Sequence, residues 1–190
     1  MTSWTVFDYG CVLSLPQPAT DFAALAARAG ATPDDFALGY WKHRVAYDRG
    51  DLEPRPYWSA VLGRPVDAAL AGELDRLDII SWVHANADTF AVVERLAAGG
   101  ADLALLSNTP ESLATAMDHA SWAALFPRRF YSCRIRAVKP DAAIFQHVLD
   151  ELGTTAAETT FIDDRLENVD AARALGIRAL HFTSADELQL

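Results

Sequence analysis

The strongest constraint on this chain is a set of short apolar runs, each stopped by a polar or acidic residue. Residues 4–7 (WTVF) stop at Asp8, residues 102–106 (DLALL) at Ser107, and residues 159–162 (TTFI) at Asp163 and Asp164. Residues 177–182 (IRALHF) make a fourth run, and residues 130–133 (FYSC) a candidate fifth. Runs of four to six residues have the length of strands buried on both faces of a parallel sheet. Amphipathic helices are predicted between them, over 88–99, with Phe90, Val93, Leu96 and Ala97 on one face, and over 111–118, 141–152 and 166–175. Gly153 and Gly176 end the last two as C-terminal caps. Strand–helix alternation of this kind implies a parallel sheet covered on both faces.

The alternation breaks once. After the first strand come several helices in succession, over 20–29, 34–49, 56–62 and 67–77, punctuated by Pro33, Gly50, Pro54, Gly63 and Pro65. The expected fold is α/β, a Rossmann-like parallel sheet core formed by residues 1–15 and 82–190, with an all-helical cap inserted over 16–81. Leu15–Pro18 and the segment near Trp82 are the candidate hinges. An insertion at the carboxyl end of a strand lies where ligands bind in open α/β sheets. A lid is the natural reading.

Composition narrows the partners. An apolar fraction of 51% with 22% charged residues supports a sizeable core. The formal charge of −10 argues against nucleic acid or an anionic membrane surface as a partner. It leaves room for a phosphorylated small molecule, because a metal or a lysine can reverse the field inside a cleft. Cys11 and Cys133 form no metal-ligand spacing and suit a reduced compartment. With no basic leader before the first strand and no apolar run of membrane-spanning length, a cytoplasmic location is expected. Nothing in the sequence fixes an oligomeric state.

In a parallel sheet the carboxyl ends of strands share one edge, so Asp8, Ser107-Asn108-Thr109 and Asp163-Asp164 converge there. Lys139-Pro140-Asp141 precedes a helix in the same frame and brings an ammonium to that edge. Three carboxylates in one crevice repel and do not all stay ionised unaided. An oxygen-liganded divalent cation together with one lysine resolves this, and Mg²⁺ suits such donors. Each position also has a plain structural reading. Asp8 and Gly10 can start a turn, Ser107 can cap a helix, Lys139 can be a solvated lysine, and the aspartate pair can favour a helix N-terminus.

Taken in order, FDYGCVL, LLSNT, VKPD and FIDDRLENVDAARALG resemble the four motifs of the haloacid-dehalogenase-like hydrolases. The likeness runs from residue 4 to about residue 182, and the helical insertion resembles the cap of the subgroup that includes the phosphatase domain of soluble epoxide hydrolase. The resemblance implies that Asp8 is a nucleophile forming an aspartyl-phosphate. It implies that Ser107 and the backbone N–H of Asn108 hold a phosphoryl oxygen and that Lys139 neutralises charge between Asp8 and the transferring group. Asp8, the carbonyl of Gly10 and Asp164 would ligate Mg²⁺, with Asp163 close by or reaching it through water, and Asn168 would brace the loop.

One position departs from the pattern. Most phosphatases of the family carry an aspartate two residues after the nucleophile as general acid and base, and here that residue is Gly10. A positioned acid or base is typically worth about 10²–10⁴-fold. Three readings follow. The first is a phosphatase acting on a small phosphorylated metabolite, with a good leaving group or an acid from the cap; some members with an Asp-x-Gly-x-Val pattern resemble sugar-phosphate phosphatases. The second is a dehalogenase, against which stands the retained Asp163-Asp164 pair. The third is a catalytically weak binding or regulatory protein. His43, Asp48 and His84 are the candidate substitutes for the acid, although Phe36, Tyr40, His43 and Tyr47 also form a packing face. Trp41 and Trp58 read as cap core, and the cap arginines as solvated.

Overall fold

A computed structural model describes residues 3–188. Five parallel strands, β1 (Trp4–Phe7), β2 (Asp102–Ser107), β3 (Arg128–Tyr131), β4 (Thr159–Asp163) and β5 (Arg178–His181), lie in the order β3-β2-β1-β4-β5. The register pairs Phe7 with both Leu105 and Ile162. Asp8 therefore leaves the central strand level with the carboxyl ends of its two neighbours.

Both faces of the sheet are buried, as the apolar runs require. Alternate residues of one strand go to opposite sides. Val6 joins Ala104, Leu106, Phe161 and Val148 on one face, and Phe7 joins Leu105, Val93, Phe126 and Ile162 on the other. The covering helices are α5 (Ala87–Ala98), α6 (Glu111–Asp118), the single turn α7 (Ser132–Ile135), α8 (Ala142–Leu152) and α9 (Leu166–Ala174). Gly153 and Gly176 follow α8 and α9 with left-handed φ of 62° and 86°.

Between β1 and α5 stand α1 (Ala19–Ala29), α2 (Pro33–Asp48), α3 (Pro54–Leu62) and α4 (Ala68–Trp82). They bury a core of their own, including Leu25, Phe36, Tyr40, Tyr57, Trp58 and Leu74. Their starts are set locally. Thr32 Oγ1 accepts from Asp35 N–H at 3.2 Å with Pro33 following, and Asp67 Oδ1 accepts from Leu70 N–H at 2.8 Å. The two chain crossings between this unit and the sheet hold each other: Leu15 N–H donates to His84 O at 2.7 Å and Asn86 N–H to Leu13 O at 2.9 Å.

Several expected boundaries shift. The fifth strand is Arg128–Tyr131 and not 130–133, because paired arginines open it and Ser132 and Cys133 turn into α7. The helix expected over 67–77 runs on to Trp82. Asp78, the residue just past the expected end, is buried against Arg44 and Tyr40, and this tertiary contact accompanies the continuation of the helix. Trp82, expected to open the returning core, is thus the last residue of α4. The outer ends of the expected core, residues 1, 2, 189 and 190, lie outside the described residues.

The α2–α3 crossing depends on Gly39. A Cβ there would stand 2.1 Å from Val61 O, a backbone atom that cannot swing away. Gly72, exposed inside α4, would meet nothing within 4 Å. The two alanine substitutions should therefore have opposite signs in urea unfolding. Gly39→Ala is expected to destabilise by about 1–3 kcal/mol through overpacking. Gly72→Ala is expected to stabilise by about 0.4–1 kcal/mol through lost unfolded-state freedom.

Candidate active site

The strand ends bring four charged groups together. Lys139, only 4% exposed, places Nζ 2.7 Å from Asp8 Oδ1 and 2.7 Å from Asp163 Oδ2. Its third donor goes to Leu106 O at 3.1 Å, so all three ammonium hydrogens have acceptors. The side chain of Asn108 fixes the lysine from behind, accepting from Lys139 N–H and donating to Lys139 O, both at 2.8 Å. Burial works against the lysine's charge, but Asp8 and Asp163 outweigh it and hold the ammonium above its ordinary range.

The carboxylates are crowded. Oxygens of Asp8, Asp163 and Asp164 lie within 4.8 Å of one another. Burial pushes the Asp8 carboxyl up to about 8, opposed by Lys139 and reinforced by Asp163 and Asp164. Asp164 is raised as well, by burial and then by Asp163. One ammonium against three carboxylates leaves an unbalanced negative site. Asp163 has its acceptors occupied by Lys139, by Arg165 N–H at 2.8 Å and by Asn168 Nδ2 at 3.0 Å to both oxygens. Asp8 Oδ1 accepts from Tyr9 N–H at 2.7 Å as well as from Lys139, while half-buried Asp164 faces the same edge. The donor set is all oxygen and in surplus negative charge, which fits a hard divalent cation on Asp8 and Asp164, with Asp163 committed to Lys139 and its loop.

Ser107 is buried at the end of β2, in register with Tyr131. It does not cap α6, whose N-cap is Pro110. Gly10 has no left-handed φ, and a Cβ there would meet only Trp82 Cζ3, at 3.7 Å. A Cβ would fit at Gly10, so glycine is not a backbone necessity. Cys11, beside it, does hold a left-handed φ of 57°.

The proposed acids of the helical unit are differently employed. His84 Nε2 lies 2.7 Å from Asp21 Oδ2, beside the chain crossing. His43 is half-buried on α2, and Arg44 takes the inward position in its place. Asp48 is buried and accepts from Arg44 Nε at 2.7 Å; burial pushes its carboxyl up to about 6 against the pull of Arg44. Arg44 is therefore not the solvated residue expected: it also meets Asp78 at 2.9 Å and donates to Tyr40 OH. Arg49 pairs with Asp51. Trp58 is fully buried in the helical core, but Trp41 is 53% exposed.

Ser132, Arg44 and Trp82 were not legible as site neighbours, and Asn108 was expected there for its backbone N–H and not for its side-chain clamp on Lys139. Ser132 Oγ accepts from Thr109 N–H at 2.8 Å and donates to Asp48 O, stitching the end of α2 to the loop after β2. Only Arg44 carried a signal, the i, i+4, i+8 row Tyr40, Arg44 and Asp48 on one helical face.

Comparison with known proteins bears on the family and the fold. A sesquiterpene phosphatase of Aspergillus oryzae is 46% identical over 67 residues, which are 35% of this chain and only 34% of that protein. A GMP/IMP nucleotidase of Escherichia coli is 30% identical over 155 residues, 80% of this chain and 67% of the relative. The fold matches that of a HAD-family enzyme of Bacteroides thetaiotaomicron, solved in complex with magnesium and inorganic phosphate. The TM-score is 0.79 at 18% identity, over 100% of this chain and 98% of the other. The family model for haloacid dehalogenase-like hydrolases matches residues 16–176, and this chain belongs to that family of hydrolases.

Proposed function

We propose that the protein is a Mg²⁺-dependent phosphomonoester phosphatase acting on a small phosphorylated metabolite through an aspartyl-phosphate on Asp8. The observation that carries this reading is the buried Lys139 ammonium shared at 2.7 Å between Asp8 and Asp163, with Asp164 on the same sheet edge. Relatives named as phosphatases support the reaction. Their named substrates differ, from sesquiterpene to GMP and IMP, so they support no single substrate.

In this reading a carboxylate oxygen of Asp8 attacks phosphorus while Lys139 orients it and offsets the charge that gathers on the phosphoryl oxygens. Ser107 and the Asn108 N–H would hold one phosphoryl oxygen. Asp8, Asp164 and the Gly10 carbonyl would hold the cation, which supplies charge neutralisation to the phosphoryl group. Asp163, braced by Asn168, keeps Lys139 in place. Residues 16–81 act as the cap over this crevice, hinged where residues 13–15 and 84–86 cross, and exclude water from it.

Phosphate release in Mg²⁺ from a panel of acyl, sugar 1- and aryl phosphates tests the assignment. Asp8→Asn should lower it by on the order of 10⁴-fold, the scale of losing a nucleophile. The fold should survive, since asparagine keeps the shape and removes a crowded charge. A variant that retains the parent's rate sinks the nucleophile. Lys139→Met should leave Asp8 and Asp163 buried without their cation, destabilise by about 3–5 kcal/mol in urea and abolish turnover. Unchanged stability would refute the buried ion triad.

A further inference from the structure

The crevice has two ends with opposite chemistry. The phosphoryl end is charged, built by Asp8, Lys139 and Asp164. Above Gly10, where the family's usual acid would stand, lies the ring of Trp82, 3.7 Å from the position of a Cβ. The indole is fixed in place. Its Nε1 donates to Tyr40 OH at 3.0 Å and the Arg44 guanidinium sits 5.9 Å from its ring, while the backbone carbonyl of Trp82 accepts from Tyr9 OH at 3.1 Å. The ring of Trp41 stands edge-on to it at 6.5 Å. From Trp41 the apolar surface continues along α2, where Leu38, Trp41 and Val45 share one face with 75%, 53% and 56% exposure. Other large apolar side chains of α2, such as Phe36 and Tyr40, are buried in the cap core, so this stripe is not needed to hold the helix.

Among the described residues the candidate acids are otherwise placed: His43 lies two residues after Trp41 on α2, about 200° round the helix from it, and the others are paired. Asp78 is tied to Tyr40 and Arg44, Asp48 to Arg44, and His84 to Asp21. Substrate selection therefore has to meet two conditions at once: an apolar body beside the phosphate, and a leaving oxygen that departs without a proton.

We infer that the substrate is a monophosphate ester of an apolar, weakly basic hydroxyl, of the aryl or enol type, whose hydrocarbon part lies on Trp82 and Trp41 and extends toward Val45 and Leu38. This rests on the phosphatase reading above. An Asp8 oxygen forms the bond to phosphorus, and the P–O bond to the leaving group breaks with its electron pair retained as phenolate or enolate. Water then attacks the aspartyl-phosphate, restoring the Asp8 carboxylate and releasing inorganic phosphate. The proton lost by that water goes to solvent, from which the leaving oxygen is protonated. A polar sugar meets the second condition but not the first, and an alkyl alcohol not the second.

The test compares kcat/KM in Mg²⁺ for 4-nitrophenyl, phenyl and hexyl phosphates, glucose 1-phosphate and acetyl phosphate, in the parent, Trp41→Ala and Trp41→Phe. The parent should prefer both aryl esters over hexyl phosphate and over glucose 1-phosphate. Trp41→Ala should lower kcat/KM for the aryl esters roughly 2- to 10-fold, the worth of one aromatic contact, mostly in KM. Trp41→Phe should restore much of it. Acetyl phosphate turnover and inhibition by inorganic phosphate should be unchanged, because neither reaches Trp41. Equal rates on hexyl and phenyl phosphate, preference for glucose 1-phosphate, or an aryl KM indifferent to Trp41 would each overturn the inference. Acetyl phosphate turnover that still depends on Asp8 would then leave the phosphatase reading standing. A Trp41→Ala variant that changes oligomeric state by light scattering with unaltered kinetics would make the stripe a contact between copies, and also overturns it. Absence of Asp8-dependent release from every ester defeats the underlying phosphatase reading, and this inference with it.

Discussion

A single buried ammonium organises the sheet edge. Lys139 reaches the end of β1 through Asp8, the end of β2 through Leu106 O and the end of β4 through Asp163, so one side chain ties three strands at the level where the register leaves them. Its own backbone is pinned by the Asn108 amide, which belongs to the loop after β2. Removing a charge from water costs several kcal/mol, and only close opposite charges with complete hydrogen bonding recover it. Here they are complete for the lysine and for Asp163, but not for the set: the crevice keeps more negative than positive charge. That imbalance is what the proposed cation would offset.

The helical unit meets the sheet and its covering helices through contacts of another kind. The C-terminal end of α2 rests on the turn after β3, with Ser132 Oγ donating to Asp48 O and Arg136 donating to Gly50 O. Gly50 approaches so closely that a Cβ would stand 2.8 Å from Cys133 O. Behind this contact Arg44, Asp48, Asp78, Tyr40 and Trp82 form one buried polar network. Such a network adds little net stability, since apolar packing would serve as well. Its directional bonds do fix where the Trp82 indole stands relative to Gly10, which nonpolar packing alone constrains less tightly.

The parallel sheet, its helices and the inserted helical unit were legible because period and punctuation carry them. Apolar runs ending at Asp8, Ser107 and Asp163 marked one edge of the sheet, and the structure brings Asp8, Lys139, Asp163 and Asp164 together there. Illegible were the features that depend on side chains meeting across the fold. The helix expected to end at residue 77 runs past Asp78, which meets Arg44, far away in sequence, and that contact has no local signal. Asn108 was expected to act through its backbone, and the reciprocal clamp of its side chain on Lys139 has no sequence signature. Trp41 and Trp58 are indistinguishable by composition; only packing separates the buried one from the exposed one.

Gly10 and Trp82 belong to one arrangement. A Cβ at position 10 would meet only an indole at ordinary contact distance, and a carboxyl carried on it would enter a site that already holds three carboxylates. Burial without a partner costs a charged group dearly and drives it toward the neutral form. An apolar wall and an additional ionised group at that point work against each other, and this chain has the wall. The general acid that is missing is typically worth about 10²–10⁴-fold, and its value falls as the leaving oxygen becomes less basic, because proton transfer then assists a departure that is already easy. Under the inference above the indole would instead hold the part of the substrate that does not react. Binding energy of that kind lowers the barrier only when it aligns the phosphoryl group with Asp8. The mounting of Trp82, through Tyr40, Tyr9 and Arg44, is the feature that would let an apolar contact away from the reacting centre act on the reaction.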